Sequence, residues 1–144
     1  MRMQSLLAGA VVTSLALSGC GGSSGSPQPS ATLGPAAHTI NGQVSYAGTV
    51  LDGHQIVVGA VLSGGSGAPA YSTVLSGPGA YSLTGVADGS YAVFAFIDQG
   101  DDMGAPQATE PLGWYDAATD GTADEVVMAE GAAAIGVDIA IVDR

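Results

Sequence analysis

From His38 onward, short segments alternate apolar and polar residues, and glycine or proline interrupts them about every eight to twelve residues. In HTINGQVSYA, Ile40, Gly42, Val44 and Tyr46 share one face and Thr39, Asn41, Gln43 and Ser45 the other. That pattern predicts a strand with one wet side. QIVVGAVL (55–62) and YAVFAFI (91–97) are apolar on both faces and too short for typical helices, so they are predicted as central strands. YSTVL at Tyr71 and AYSL at Ala80 flank SGPG, a turn by composition. DEVVMA at Asp124 and AIGVDIAIV (134–142) complete the set. In the last segment Ile135, Val137, Ile139 and Ile141 are expected on one face, with Asp138 pointing away. The run Ala132 to Ala134 suits a helix start, but the alternation after it argues for a strand. The result is an all-β expectation: a single antiparallel β-sandwich of about seven strands over residues 38–144.

The chain opens differently. Arg2 precedes LLAGAVVTSLAL (6–17), an apolar run whose helical length, roughly 18 Å, falls short of a hydrocarbon core of about 30 Å. Length and flanks fit a secretory signal peptide over residues 1–19. The run ends in LSGC, whose Cys20 is the chain's only cysteine. This stretch resembles the lipobox of bacterial lipoproteins. The resemblance implies cleavage before Cys20, a diacylglycerol thioether on its thiol and acylation (palmitate or a similar chain) of the new amino terminus. Two or more acyl chains hold a protein stably at about 0.8 kcal/mol per buried methylene. The chain is thus expected in the cell envelope, its partner the membrane reached through Cys20. Gly21 resembles the residue that follows the cysteine in lipoproteins sent to the outer membrane of Gram-negative cells; elsewhere the outer face of the cell membrane is expected. With Cys20 so used, no disulfide or thiol nucleophile remains for the domain.

Residues 20–37 read as a tether. Glycine, serine and proline dominate and no charge appears, so the r.m.s. span is roughly 23 Å. GGSSG (21–25) matches G-x-S-x-G formally, but it has neither the strand before it nor the helix after it that a nucleophile elbow requires.

A second resemblance lies in INGQVSYAG, IVVGAVL and GPGAYSLTGVADGSYAVFAFID, which together are similar to the carboxypeptidase regulatory-like group of transthyretin-type sandwiches. Gly85 and Gly89 would bracket a tight corner before the strand at Tyr91. The matching residues are turn glycines and core apolars, so the resemblance implies a fold and leaves activity open.

Charge narrows the function. The chain carries 13 Asp and Glu against 2 Lys and Arg, and its net charge is −11. All the acids follow residue 50, and beyond the signal segment Arg144 is the only Lys or Arg. Phosphate backbones and anionic headgroups are repelled, which argues against nucleic-acid partners; acidity also serves solubility. The stretch from Asp98 to Glu125 holds eight acids and no base. Clustered carboxylates repel unless solvated, protonated or bridged by a cation. Asp98, Asp101, Asp102 and Glu110 are therefore candidate calcium ligands, the plain alternative being a solvated loop. An EF-hand register fails: counted from Asp98, position six is Met103, position twelve is Thr109, and Glu110 arrives one residue late. Trp114 and Tyr115 in EPLGWY are candidates for stacking on a sugar ring, although neighbours in a strand point to opposite faces. The alternative is that Trp114 packs in the core or caps its edge. His38 and His54 stand alone, without H-E-x-x-H or a third ligand in register, and are expected on the surface or at strand ends. Paired carboxylates without an evident cleft do not make a glycosidase. The sequence thus points to a non-catalytic envelope module acting in structure or interaction. A calcium- or carbohydrate-binding module built on the loop 98–115 is the alternative.

Overall fold

A computed structural model describes residues 36–65, 67–129 and 132–144; Cys20, the expected signal segment and most of the expected tether lie outside them. Among the described residues there is no helix, and nine strands form two sheets. They are β1 (Ala36–Tyr46), β2 (Gln55–Leu62), β3 (Tyr71–Leu75), β4 (Gly79–Ala87), β5 (Gly89–Asp98), β6 (Leu112–Trp114), β7 (Glu125–Met128), β8 (Ala133–Ile135) and β9 (Ile139–Ile141). The expected all-β class holds, and all seven predicted segments fall on strands.

One sheet is built on β1, with antiparallel β4 on one side and β8 then β9 sharing the other. Those last two pair parallel to β1, so this sheet is mixed. The second sheet is centred on β5. It pairs antiparallel with β2 from Gln55↔Asp98 to Leu62↔Tyr91, and β3 lies beyond β2. The opposite edge of β5 is divided between β7 at its start and β6 further on. The chain changes sheet four times, after β1, β3, β4 and β7, and two of these changes are short corners. SGPG joins β3 to β4, and Asp88, between Gly85 and Gly89, joins β4 to β5, where the sequence placed a tight corner.

Period-two alternation explains the core. Ile40, Val44, Ile56, Val58, Ala60, Tyr91, Val93, Ala95 and Ile97 point between the sheets and are buried together. The outward residues of the second sheet are also apolar, and Val57, Phe94, Phe96 and Leu112 form a separate buried cluster. Both faces of β5 are thus covered, as its unbroken apolar run predicts. Pro69, from the loop after β2, lies over this outer face beside Phe94.

The predicted last strand is broken. Gly136 has φ +78°, the left-handed region that glycine enters without penalty. That kink resets the alternation. Val137, Ile139 and Ile141 are buried, but Ile135 is exposed, contrary to its expected place on the same face. Beyond the kink the sandwich closes along one side. Leu112 and Val142 exchange backbone hydrogen bonds of 3.1 and 3.3 Å, and Tyr115 bridges Ile139. The approach is tight at Gly113, where a Cβ would stand 2.1 Å from the Ala140 carbonyl oxygen.

Candidate functional site

The acidic stretch begins at the end of β5. Asp98 and Glu110 are each only 2 % exposed, so their carboxylates need partners. Backbone N–H groups supply them. Asp98 accepts from Asp102 N–H at 3.3 Å and Met103 N–H at 2.9 Å. Glu110 accepts from Gln99 at 3.0 Å, Gly100 at 3.4 Å and Gln107 at 2.7 Å. Asp102, on the surface, accepts from Gly104 N–H and from the Gln107 side-chain amide. Asp101 is exposed, and both it and Met103 have positive φ. Of the four candidate calcium ligands, then, Asp98 and Glu110 are buried, and each carboxylate holds loop N–H groups. Among the described residues no three His, Cys, Asp or Glu side chains converge at metal-holding spacing.

The same capture continues downstream. Asp116 accepts from the N–H groups of Asp120 and Gly121, Asp120 from Thr122, and Asp124 from Ala118. Six of the eight acids between Asp98 and Glu125 therefore hold loop backbone. Asp and Asn favour such local bonds because their short side chains reach donors a few residues on. A stretch that reads as an electrostatic liability is in large part a set of loop staples.

The two aromatic candidates diverge, as adjacent strand positions require. Tyr115 is half-buried against the core, and its N–H donates to the Val93 carbonyl at 2.8 Å. Trp114 turns outward. It is 38 % exposed, and its ring rests on Phe94 with centroids 5.1 Å apart at 49°. It caps the edge of the outer cluster and keeps much of its surface in solvent. A groove of about 570 Å³ lies on one side of the indole, along the seam where β6 meets β9. A second, more apolar groove of about 330 Å³ lies on the other side, between Trp114, Val61 and Pro106.

Sequence reasoning missed one pair. His38 is buried, not a surface residue, although it does sit near the start of β1. Its Nδ1–H donates to the Ala132 carbonyl at 3.0 Å, since a carbonyl can only accept. Nε2 meets the Asp88 carboxylate at the corner between the sheets. The pair ties β1 to that corner and to the segment before β8. Fifty positions separate the partners, and nothing local to His38 announces Asp88.

Burial raises the pKa of two core phenols. Tyr81, whose OH donates to the Val137 carbonyl at 2.7 Å, is pushed well above the usual tyrosine range, first by burial and then by the charge of Asp138. Tyr91 is pushed up to about 12, mainly by burial, with Tyr71 and Asp88 adding to it.

Compared with family models, curated proteins and solved structures, the chain shows no significant match to any of them.

Proposed function

We propose that the chain is a lipid-anchored, non-catalytic β-sandwich module of the cell envelope that acts by presenting a recognition surface. The anchor follows from the LSGC resemblance at 17–20, and the uncharged tether would let the domain work within a few nanometres of the membrane. The similarity to carboxypeptidase regulatory-like sandwiches fits a fold that serves as an accessory module. A net charge of −11 favours attachment through acyl chains over adhesion to anionic headgroups.

The observation that carries the reading is how the domain uses its polar groups. The buried acids Asp98 and Glu110 hold loops in place, and Trp114, the one aromatic among the large apolar side chains exposed in the described residues, stands between two grooves. Such a surface suits recognition.

Cell fractionation with intact-mass analysis tests the anchor. The full chain should partition with membranes and carry acyl mass on a terminus that begins at Cys20. Cys20→Ser should move it to the soluble fraction or leave the signal segment uncleaved. An unmodified terminus at another residue would sink the proposal.

A further inference from the structure

The larger groove follows the seam between the two sheets, and its lining combines an aromatic with apolar and charged side chains. Trp114 supplies an aromatic wall. On β6 and around β9 the outward positions face this seam, so Val142, 60 % exposed, adds apolar floor beside the indole. Asp116 and Asp138 bring carboxylates, Thr122 a hydroxyl, and Arg144 the only guanidinium among the described residues. Asp138 and Asp116 each accept backbone N–H bonds, from Gln43 and from the 116–121 turn, so both are held in position. The volume, about 570 Å³, lies within the roughly 300–1,000 Å³ of small-molecule sites.

Three ligand chemistries can be set against that lining. An anion would face two carboxylates in a strongly acidic protein. A cation would suit the indole face and the carboxylates but would oppose Arg144. An uncharged sugar ring has an apolar C–H face that stacks on an aromatic plane, and rim hydroxyls that need acceptors and donors together. The groove offers both, in a channel open to solvent that would admit a chain of residues. We infer that the seam groove beside Trp114 binds an uncharged oligosaccharide, with Trp114 as the stacking platform and Asp116, Thr122, Asp138 and Arg144 at the ring hydroxyls. This rests on the reading of the domain as a recognition module.

Trp114 is the only tryptophan of the chain, so indole emission reports a ligand in either groove beside it, and Thr122, which lines the seam groove alone, tells the two apart. The full chain, purified in detergent, would be titrated with cellohexaose, laminarihexaose, maltohexaose and chitohexaose, and separately with spermine and a heparin hexasaccharide. At least one neutral oligosaccharide should shift the emission saturably, and calorimetry should give a matching Kd. Trp114→Ala should weaken binding by about tenfold or more, about 1.4 kcal/mol per decade. Since that variant also uncovers Phe94, Thr122→Tyr supplies an independent test: Thr122 is exposed and its side chain can be enlarged without touching the core. It should block binding with the melting temperature unchanged. No response to any neutral oligosaccharide at millimolar concentration overturns the inference. So does a response confined to spermine or heparin, or one that survives Thr122→Tyr. Fractionation reads the anchor separately, so failure of sugar binding and failure of the lipoprotein reading are distinguishable.

Discussion

Glu110→Ala should detach the loop that follows β5 from the rest of the sandwich. The Glu110 carboxylate receives two short bonds, from Gln107 at 2.7 Å and Gln99 at 3.0 Å, and a longer one from Gly100 at 3.4 Å. Hydrogen bonds to a charged group contribute about 1.5–3 kcal/mol each, so the two short ones account for roughly 3–6 kcal/mol. Some of this is offset, because the variant no longer buries a carboxylate. A net loss of about 3 kcal/mol is expected, or about 2 M in urea midpoint at a slope near 1.5 kcal/mol per M. Glu110→Gln retains one acceptor oxygen, which Gln107 can keep, and should lose about half as much. Urea unfolding of the full chain in detergent, followed by the Trp114 emission, measures the midpoint. Hydrogen exchange at Gln99, Gly100 and Gln107 locates the effect. If Glu110→Ala stays within about 0.5 kcal/mol of the parent while those amides remain protected, the carboxylate does not hold the loop.

Further outcomes follow from the same geometry. Gly113→Ala drives a methyl to 2.1 Å from the Ala140 carbonyl oxygen and should cost about 3 kcal/mol in urea unfolding, while Gly77→Ala, with open space around it, should be near neutral. A small effect at Gly113 would mean the seam between β6 and β9 yields easily. Above pH 10 the domain should lose stability. Burial keeps Tyr91 and Tyr81 neutral in the fold, so their contribution is full below the ordinary tyrosine value near 10 and declines as pH rises through about 12. Melting temperature against pH, with tyrosinate absorbance, checks this; all five tyrosines ionising near pH 10 in a still-folded protein would contradict it. Millimolar calcium should raise the melting temperature no more than sodium chloride of matched ionic strength, because Asp98 and Glu110 already hold N–H groups. A calcium-specific rise, lost in Asp102→Asn, would show the loop reorganising around the cation.

What was legible in the sequence was whatever obeys a local period. Ile40 and Val44 point inward because alternation leaves them no other face, and the two-sided apolar run of β5 does sit between covered faces. Where one residue resets the period, the reading slips. Gly136 shifts the parity, and Ile135, apolar and in phase on paper, ends 84 % exposed. The three residues of β6 carry no pattern long enough to notice; they become a strand because β5 has a free edge and Gly113 permits contact with Ala140. The acidic stretch divides along the same line. Asp102 two residues before Gly104, and Asp120 two before Thr122, are local turn signals present in the text. The bonds that Glu110 accepts from Gln99 and Gly100 span ten or more residues and exist only once the loop has folded back. The seam groove depends on still longer separations. Trp114 and Asp116 meet Asp138 and Val142 because β9 lies against β1 and closes the sandwich over β6. A candidate aromatic could be named from EPLGWY, but its polar companions came from the register of strands far along the chain, which no local period encodes.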